Sequence, residues 1–231
     1  MQKFFQGRII VTCGPAFEPI DAVRCITNFS TGELGTLLCN HLTEKGWEVF
    51  CLRGTGATYP RPLHANVLPF STNMDLEKCL NRLSVLPSIV GVFHAAALCD
   101  FRVVRIENSY GIKVVPTKLG SRSGGLRLTL EPTPKIIRQL RALFPHSYIV
   151  GWKYELAGLP EEALSRGYRQ ITESATDACI VNGRALGNGF AFLERRKTLL
   201  LFPTKIQLCL YLNRRLSQHL PFLHRRSKDD G

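Results

Sequence analysis

"RIIVTCGPAFEPIDAVRCITNFSTGELGTLLCNHLTEKGWEVFCLRG", residues 8–54, holds one strand–helix–strand unit with an unusually long join inside it. The apolar run "RIIVTCG" reads as a strand. Between Gly32 and Gly46, Leu34, Leu37, Leu38 and Leu42 recur at spacings of three and four, so they share one face of a helix that Gly46 can stop. "EVFCLRG" then reads as a second strand. Continuously apolar strands joined by a helix belong to a parallel sheet, because helices on both sides bury both faces of each strand. Strand-to-helix joins in such units usually run roughly 2–6 residues, yet here a polar stretch at 18–35 intervenes, carrying Arg24, Asn28, Ser30, Thr31, Gly32 and Gly35. That length suggests a ligand site; an Asx turn followed by a helix cap at Ser30 or Thr31 would use the same residues.

The alternation continues downstream. "ANVLPF" (65–70) reads as a strand, "MDLEKCLNRLSVL" (74–86) as an amphipathic helix and "SIVGVFHAAA" (88–97) as an apolar strand. A Gly- and Ser-rich excursion follows at 108–130. The pattern resumes with helix 133–144, strand 147–152, helix 160–172 and strand 177–182, then a hairpin at 190–202 and a final helix at 204–220. The expected fold is α/β: a Rossmann-like, mostly parallel sheet with helices on both faces and a C-terminal β-hairpin and helix arm. No repeat or linker divides the chain, so residues 1–231 read as a single domain, with a basic arm at about 195–231.

Composition narrows the function. At 231 residues and 45% apolar content the chain can bury a substantial core. It has no apolar run of about 18 residues, and its N-terminus leads into a strand instead of a signal peptide, which points to a cytoplasmic protein without a membrane partner. The eight cysteines are dispersed, with no C-x-x-C pair and no Cys/His spacing for zinc, so reduced, packed thiols and no protein-bound metal are expected. Of the net charge of +12, a surplus of seven lies in residues 195–231, where nine Lys and Arg meet only Asp229 and Asp230. Without interleaved aromatics this arm reads as a solvated face, and no nucleic-acid partner is expected.

Ligands of open α/β sheets bind outside the carboxyl ends of the strands. Four segments fall there: Gly14 to Gly35, "HAAALCDF" (94–101), "GWKYE" (151–155) and "VNGRALGNGF" (181–190). A P-loop signature is absent, and no compact G-x-G-x-x-G follows the first strand. Neither an NTPase of that type nor a Rossmann dehydrogenase is indicated.

"VTCGPAFEPIDAVRCITNFSTGELG" (11–35) resembles the signature of phosphopantothenoylcysteine synthetases, T-x-G-x-x-x-E-P-[IL]-D-x-V-R-x-I-[ST]-N-x-S-[ST]-G. "HAAALCDF", "KLGSRSGGLRLTLEPTPKI" and "VGWKYEL" are similar to that family's later segments, in the same order. The resemblance implies a usually dimeric ligase of coenzyme A biosynthesis. It would join 4'-phosphopantothenate to L-cysteine through an acyl-nucleotidylate made from CTP or ATP with Mg²⁺. By resemblance Asn28 contacts the acyl group, while Asp100 and Lys118 serve the nucleotide and the reacting centre. Gly14, Ser30, Thr31, Gly32, Ala95, Ala96 and Trp152 form the nucleotide site, and Arg24 and Asn182 join Asn28 in binding substrate. Where the family usually has Phe this chain has Trp152, and "VNGRALGN" is a loose match to the later loop. A noncatalytic nucleotide-binding protein of Rossmann-like fold is the alternative. The chemistry suits the residues: a neutral amide such as Asn28 can both donate and accept, and a fixed ammonium such as Lys118 stabilises charge on a mixed anhydride under attack.

Overall fold

The structure, a computed structural model, describes residues 6–114, 124–195 and 198–229, with side chains as far as His219. Lys118 lies outside the described residues. Six parallel strands form the body of the sheet: β1 (Arg8–Cys13), β4 (Glu48–Gly54), β5 (Asn66–Phe70), β6 (Ile89–His94), β9 (Tyr148–Tyr154) and β10 (Ala178–Asn182). Their spatial order is β10-β9-β6-β1-β4-β5, the doubly wound arrangement in which chain order reverses between β1 and β6. Antiparallel strands β11 (Phe190–Glu194) and β12 (Leu199–Phe202) complete the eight-stranded sheet beyond β10. The Rossmann-like sheet and the C-terminal hairpin are thus both present.

Side-chain alternation explains the layers. On one face Ile9, Val11, Val49 and Phe93 pack under α1 (Glu33–Glu44) and α5 (Lys205–Asp229), which contribute Leu38, Leu42, Leu208, Leu212 and Leu216. The opposite face buries Ile10, Leu52, Val92 and Ile149 under α2 (Asn73–Ser84) and α3 (Leu140–Leu143). Next to these, α4 (Pro160–Glu173) packs Ala163 and Ile171 on Val181 and Leu193. A capping box starts α2: Asp75 N donates to Thr72 Oγ1 and Thr72 N donates to Asp75 Oδ2, both at 3.1 Å.

Three segments depart from the sequence reading. Within the supposed loop, β2 (Phe17–Pro19) and β3 (Cys25–Thr27) make a small hairpin, closed where Asp21 Oδ1 accepts the amides of Val23 and Arg24 at 2.8 Å each. Residues 133–144 give only a 3-10 turn, Ile136–Arg138, and the single turn of α3, which stops at Phe144 because the residue before Pro145 is pushed out of helical geometry. The excursion is framed by the antiparallel pair β7 (Phe101–Asn108) and β8 (Leu126–Pro132). Its β7 leans on the first hairpin, with Val103 N donating to Glu18 Oε1 at 3.1 Å. Among the described residues no helix is long and apolar enough to cross a membrane.

Candidate functional site

At the reversal point, β1 and β6 stay joined beyond their last strand residues. Ala95 N donates to Thr12 O at 3.1 Å, Ala97 N to Gly14 O at 3.0 Å and Ala16 N to Ala97 O at 2.9 Å. The small side chains of Ala95, Ala96 and Ala97 therefore pave a floor at the carboxyl edge. Beneath it Thr12 Oγ1 lies 2.9 Å from His94 Nδ1 and accepts Ala96 N at 3.1 Å. Burial pushes the His94 pKa down to about 4, so the ring is neutral at pH 7.

On the α1 side of this floor, Gly32 takes the left-handed conformation, φ 76°, immediately before the helix. A Cβ at Gly14 or at Gly32 would lie 2.8 or 3.0 Å from the methyl of Ala57, so the glycines bring the β4–β5 loop down onto the turn. Glu33 N donates to Thr31 Oγ1 at 3.3 Å, and the Glu33 carboxylate pairs with Lys205 at the start of α5. First-turn amides with the positive end of the helix dipole make this the natural place for an anion. Register places Trp152 one residue past Gly151, the partner of His94, and hence level with Ala95. Its ring packs against the α1 and α5 core, while its indole Nε1 is buried with no hydrogen-bond partner among the described residues.

Beyond the floor toward the hairpins, Asn28 Nδ2 donates to Leu98 O at 2.6 Å. The adjoining Cys99 is held from two directions: its amide donates to Asn73 Oδ1 at 3.2 Å and its carbonyl accepts from Thr133 Oγ1 at 2.7 Å. Asp100 follows, its carboxylate paired with Lys135 in solvent. Beside Asn28, Phe29 stands fully exposed.

Gly14, Gly32, Ala95, Ala96 and the Asn28–Asp100 pair of segments are thereby assembled around one reversal point, with Ser30 and Thr31 in the turn between. Trp152 sits on the second strand over from β1. Asn182, the last residue of β10, pairs with Tyr154 and lies three strands from β1, ~14 Å at ordinary strand spacing. Arg24 is at the turn of the first hairpin, paired with Asp21 at 3.1 Å. Sequence reasoning missed Lys135, His94 and Arg53. Lys135 had a faint signal in "PTPK"; an arginine ending an apolar strand reads as a surface residue, and only packing shows that Arg53 is buried. All eight cysteines are free thiols, six of them buried.

Residues 5–210 match the family model described as "DNA/pantothenate metabolism flavoprotein C-terminal domain". The chain is 34% identical over 182 residues to the coenzyme A biosynthesis bifunctional protein CoaBC of Thermococcus kodakarensis, covering 78% of this chain and 42% of that protein. It thus spans about two fifths of the length of the curated relative. Among solved structures it is similar to the DNA/pantothenate metabolism flavoprotein from Streptococcus pneumoniae, with TM-score 0.81, 22% identity, and coverage of 92% of this chain and 99% of that one. A mutant Cab2 in complex with phosphopantothenate-cysteine superposes with TM-score 0.71 at 17% identity, covering 92% and 88%. These two likenesses establish the shared fold.

Proposed function

Because the chain belongs to the family of the DNA/pantothenate metabolism flavoprotein C-terminal domain, we propose that it is a phosphopantothenate–cysteine ligase of coenzyme A biosynthesis. Residues 1–231 act as one domain. The observation that carries this reading is the meeting of the 28–32 turn with the 95–100 segment at the β1/β6 reversal, where Asn28 reaches Leu98 O.

In this reading the polyphosphate of CTP or ATP lies on Ser30, Thr31, Gly32 and the N-terminus of α1, and its base reaches over Ala95 and Ala96 toward Trp152. Mg²⁺ comes with the nucleotide substrate, coordinated mainly by phosphate oxygens. Asn28 keeps one amide hydrogen and Oδ1 for 4'-phosphopantothenate, and Arg24 and Asn182 hold that substrate farther out. Its carboxylate attacks the α-phosphorus and pyrophosphate leaves. The amine of cysteine then attacks the acyl carbon and expels the nucleoside monophosphate. Asp100 takes the proton released from the amine or holds the ribose, and Lys118 stabilises the developing charge.

The proposal includes a twofold homodimer working in the cytoplasm. Most of the apolar surface of β11 and α5 is used within the chain, but Leu199, Leu200, Leu201, Ile206 and Leu210 remain exposed. Light scattering at micromolar concentration tests the dimer. The decisive experiment mixes the protein with 4'-phosphopantothenate, cysteine, Mg²⁺ and either nucleotide, and follows product by mass spectrometry. Cysteine-dependent phosphopantothenoylcysteine is expected; folded protein that yields none with either nucleotide overturns the ligase and leaves a nucleotide-binding protein.

A further inference from the structure

At the carboxyl end of β4 a charged side chain is buried with no opposite charge to meet it among the described residues. Arg53 is 6% exposed and, among the described residues, is paired with no carboxylate. Its Nη1 donates to Thr36 Oγ1 at 3.0 Å, and its Nη2 donates to the carbonyls of Ala57, at 3.0 Å, and of Tyr59. The contacts continue outward from these partners. Tyr59 N donates to Thr31 O at 3.0 Å, and Thr36 N donates to Gly32 O at 3.0 Å. One guanidinium therefore grips both ends of the 31–36 turn, the inner end through Thr36 and the outer end through Tyr59. The Ala57 methyl, pressed on Gly14 and Gly32, lies between those grips.

Energetics make this an odd choice for a fold that only had to close a loop. A buried cation costs solvation, and here its neighbour is the positive end of a helix dipole, so the two repel. An apolar side chain of similar volume would hold the core together at less cost. The arrangement becomes favourable when a polyanion arrives above the turn, because the low-dielectric surroundings transmit the Arg53 charge well. Lysine is no substitute: a single ammonium on a flexible stem cannot span three acceptors set out as a planar fork.

We propose that Arg53 is a positioning residue for the nucleotide. It holds the main chain of Ser30–Gly32 in the conformation that receives the polyphosphate and biases that turn toward anions, without touching the nucleotide itself. The inference rests on the ligase reading of the same site.

The test compares full-length wild type with Arg53→Lys and with Thr36→Val, which removes one acceptor at nearly constant shape. Steady-state constants for all three substrates, thermal unfolding, and equilibrium binding of a non-hydrolysable nucleoside triphosphate analogue are measured on each. Arg53→Lys is expected to raise the nucleotide KM and the analogue Kd about tenfold or more, with the KM values for 4'-phosphopantothenate and cysteine changed less than about twofold. Thr36→Val should move the same constants in the same direction by a smaller factor. A structural role alone would lower the unfolding temperature and the active fraction without this selectivity. Unchanged nucleotide affinity in both variants, or an equal rise in all three KM values, overturns the proposal. Should Arg53→Lys fail to fold, Thr36→Val decides by the same criterion. If wild type makes no product, the ligase reading fails, and analogue binding still judges Arg53: tight binding by wild type that weakens in the variants upholds its role, and absent or unaltered binding removes it.

Discussion

On the α1 side of the carboxyl edge, Arg53 and Thr36 are 6% and 1% exposed, whereas on the hairpin side the Asp100 and Lys135 side chains are 60% and 52% exposed. Water competes with every contact of the second pair and with almost none of the first. The buried half is consequently set before any ligand arrives. Across the floor, the carbonyls of Leu98 and Cys99 accept from the Asn28 and Thr133 side chains, while the charged tips stay free to change partners. In the proposed ligase, a rigid seat for the polyphosphate would lie beside adaptable groups for an acyl substrate and an incoming amine, which suits a reaction in two successive steps.

Four measurements can break or sharpen that division. The largest effect is expected at a lysine in the stretch of sequence between β7 and β8. Lys118→Gln should lower turnover about 10²–10³-fold with unfolding unaltered, and wild-type turnover would shift the electrostatic role to Lys135. In the buried half, Gly54→Ala would set a Cβ 2.2 Å from Pro15 O, forcing β4 and the end of β1 apart. Urea titration should show a loss of about 3 kcal/mol; a loss below about 1 kcal/mol would mean the floor is less rigid than its packing suggests.

A third measurement uses pH. His94 is neutral in the fold, with its pKa near 4 against an ordinary 6.5 when unfolded. The unfolded chain thus binds the extra proton first, and the associated stability, fully present above about 6.5, is lost as pH falls toward 4. Between pH 7.5 and 5 wild type should lose about 2 kcal/mol more than His94→Gln; parallel pH profiles would show that the ring is hydrated. The smallest effect belongs to the exposed pair: Lys135→Gln should change stability by less than about 1 kcal/mol in the same urea assay. A loss above about 2 kcal/mol would place that pair with the buried contacts and erase the contrast.

Much of this architecture is legible in the chain because burial writes a period into it. The Leu34, Leu37, Leu38, Leu42 stripe gave α1, and the apolar runs at 8–14, 88–97 and 177–182 gave central strands. Short elements carry no such period: three-residue strands β2 and β3 owe their pairing to Asp21 at the turn, and α3 stops just before Pro145. The gathering of residues at the β1/β6 reversal was legible where main chain mattered, at Gly14, Gly32 and Ala95–Ala97. Arg53 was not, since its effect depends on three acceptors that only folding brings together. Nor was Lys135, whose partner Asp100 is distant along the chain and adjacent across β7–β8.

The last described helix closes over the first strand. Leu208, Leu212 and Leu216 share a core with Ile9 and Val11, and Trp47 Nε1 donates to Asn213 Oδ1 at 2.9 Å. During synthesis, one face of the sheet is therefore uncovered until residues beyond 216 have left the ribosome. The N-terminal two thirds can form strands and helices, but the sheet cannot be sealed on both sides by what has been translated so far. Completion waits for contacts of long sequence separation, which are slow to form. Nascent chains of this protein should remain open to chaperones and proteases until α5 emerges, then become resistant within a few added turns of that helix.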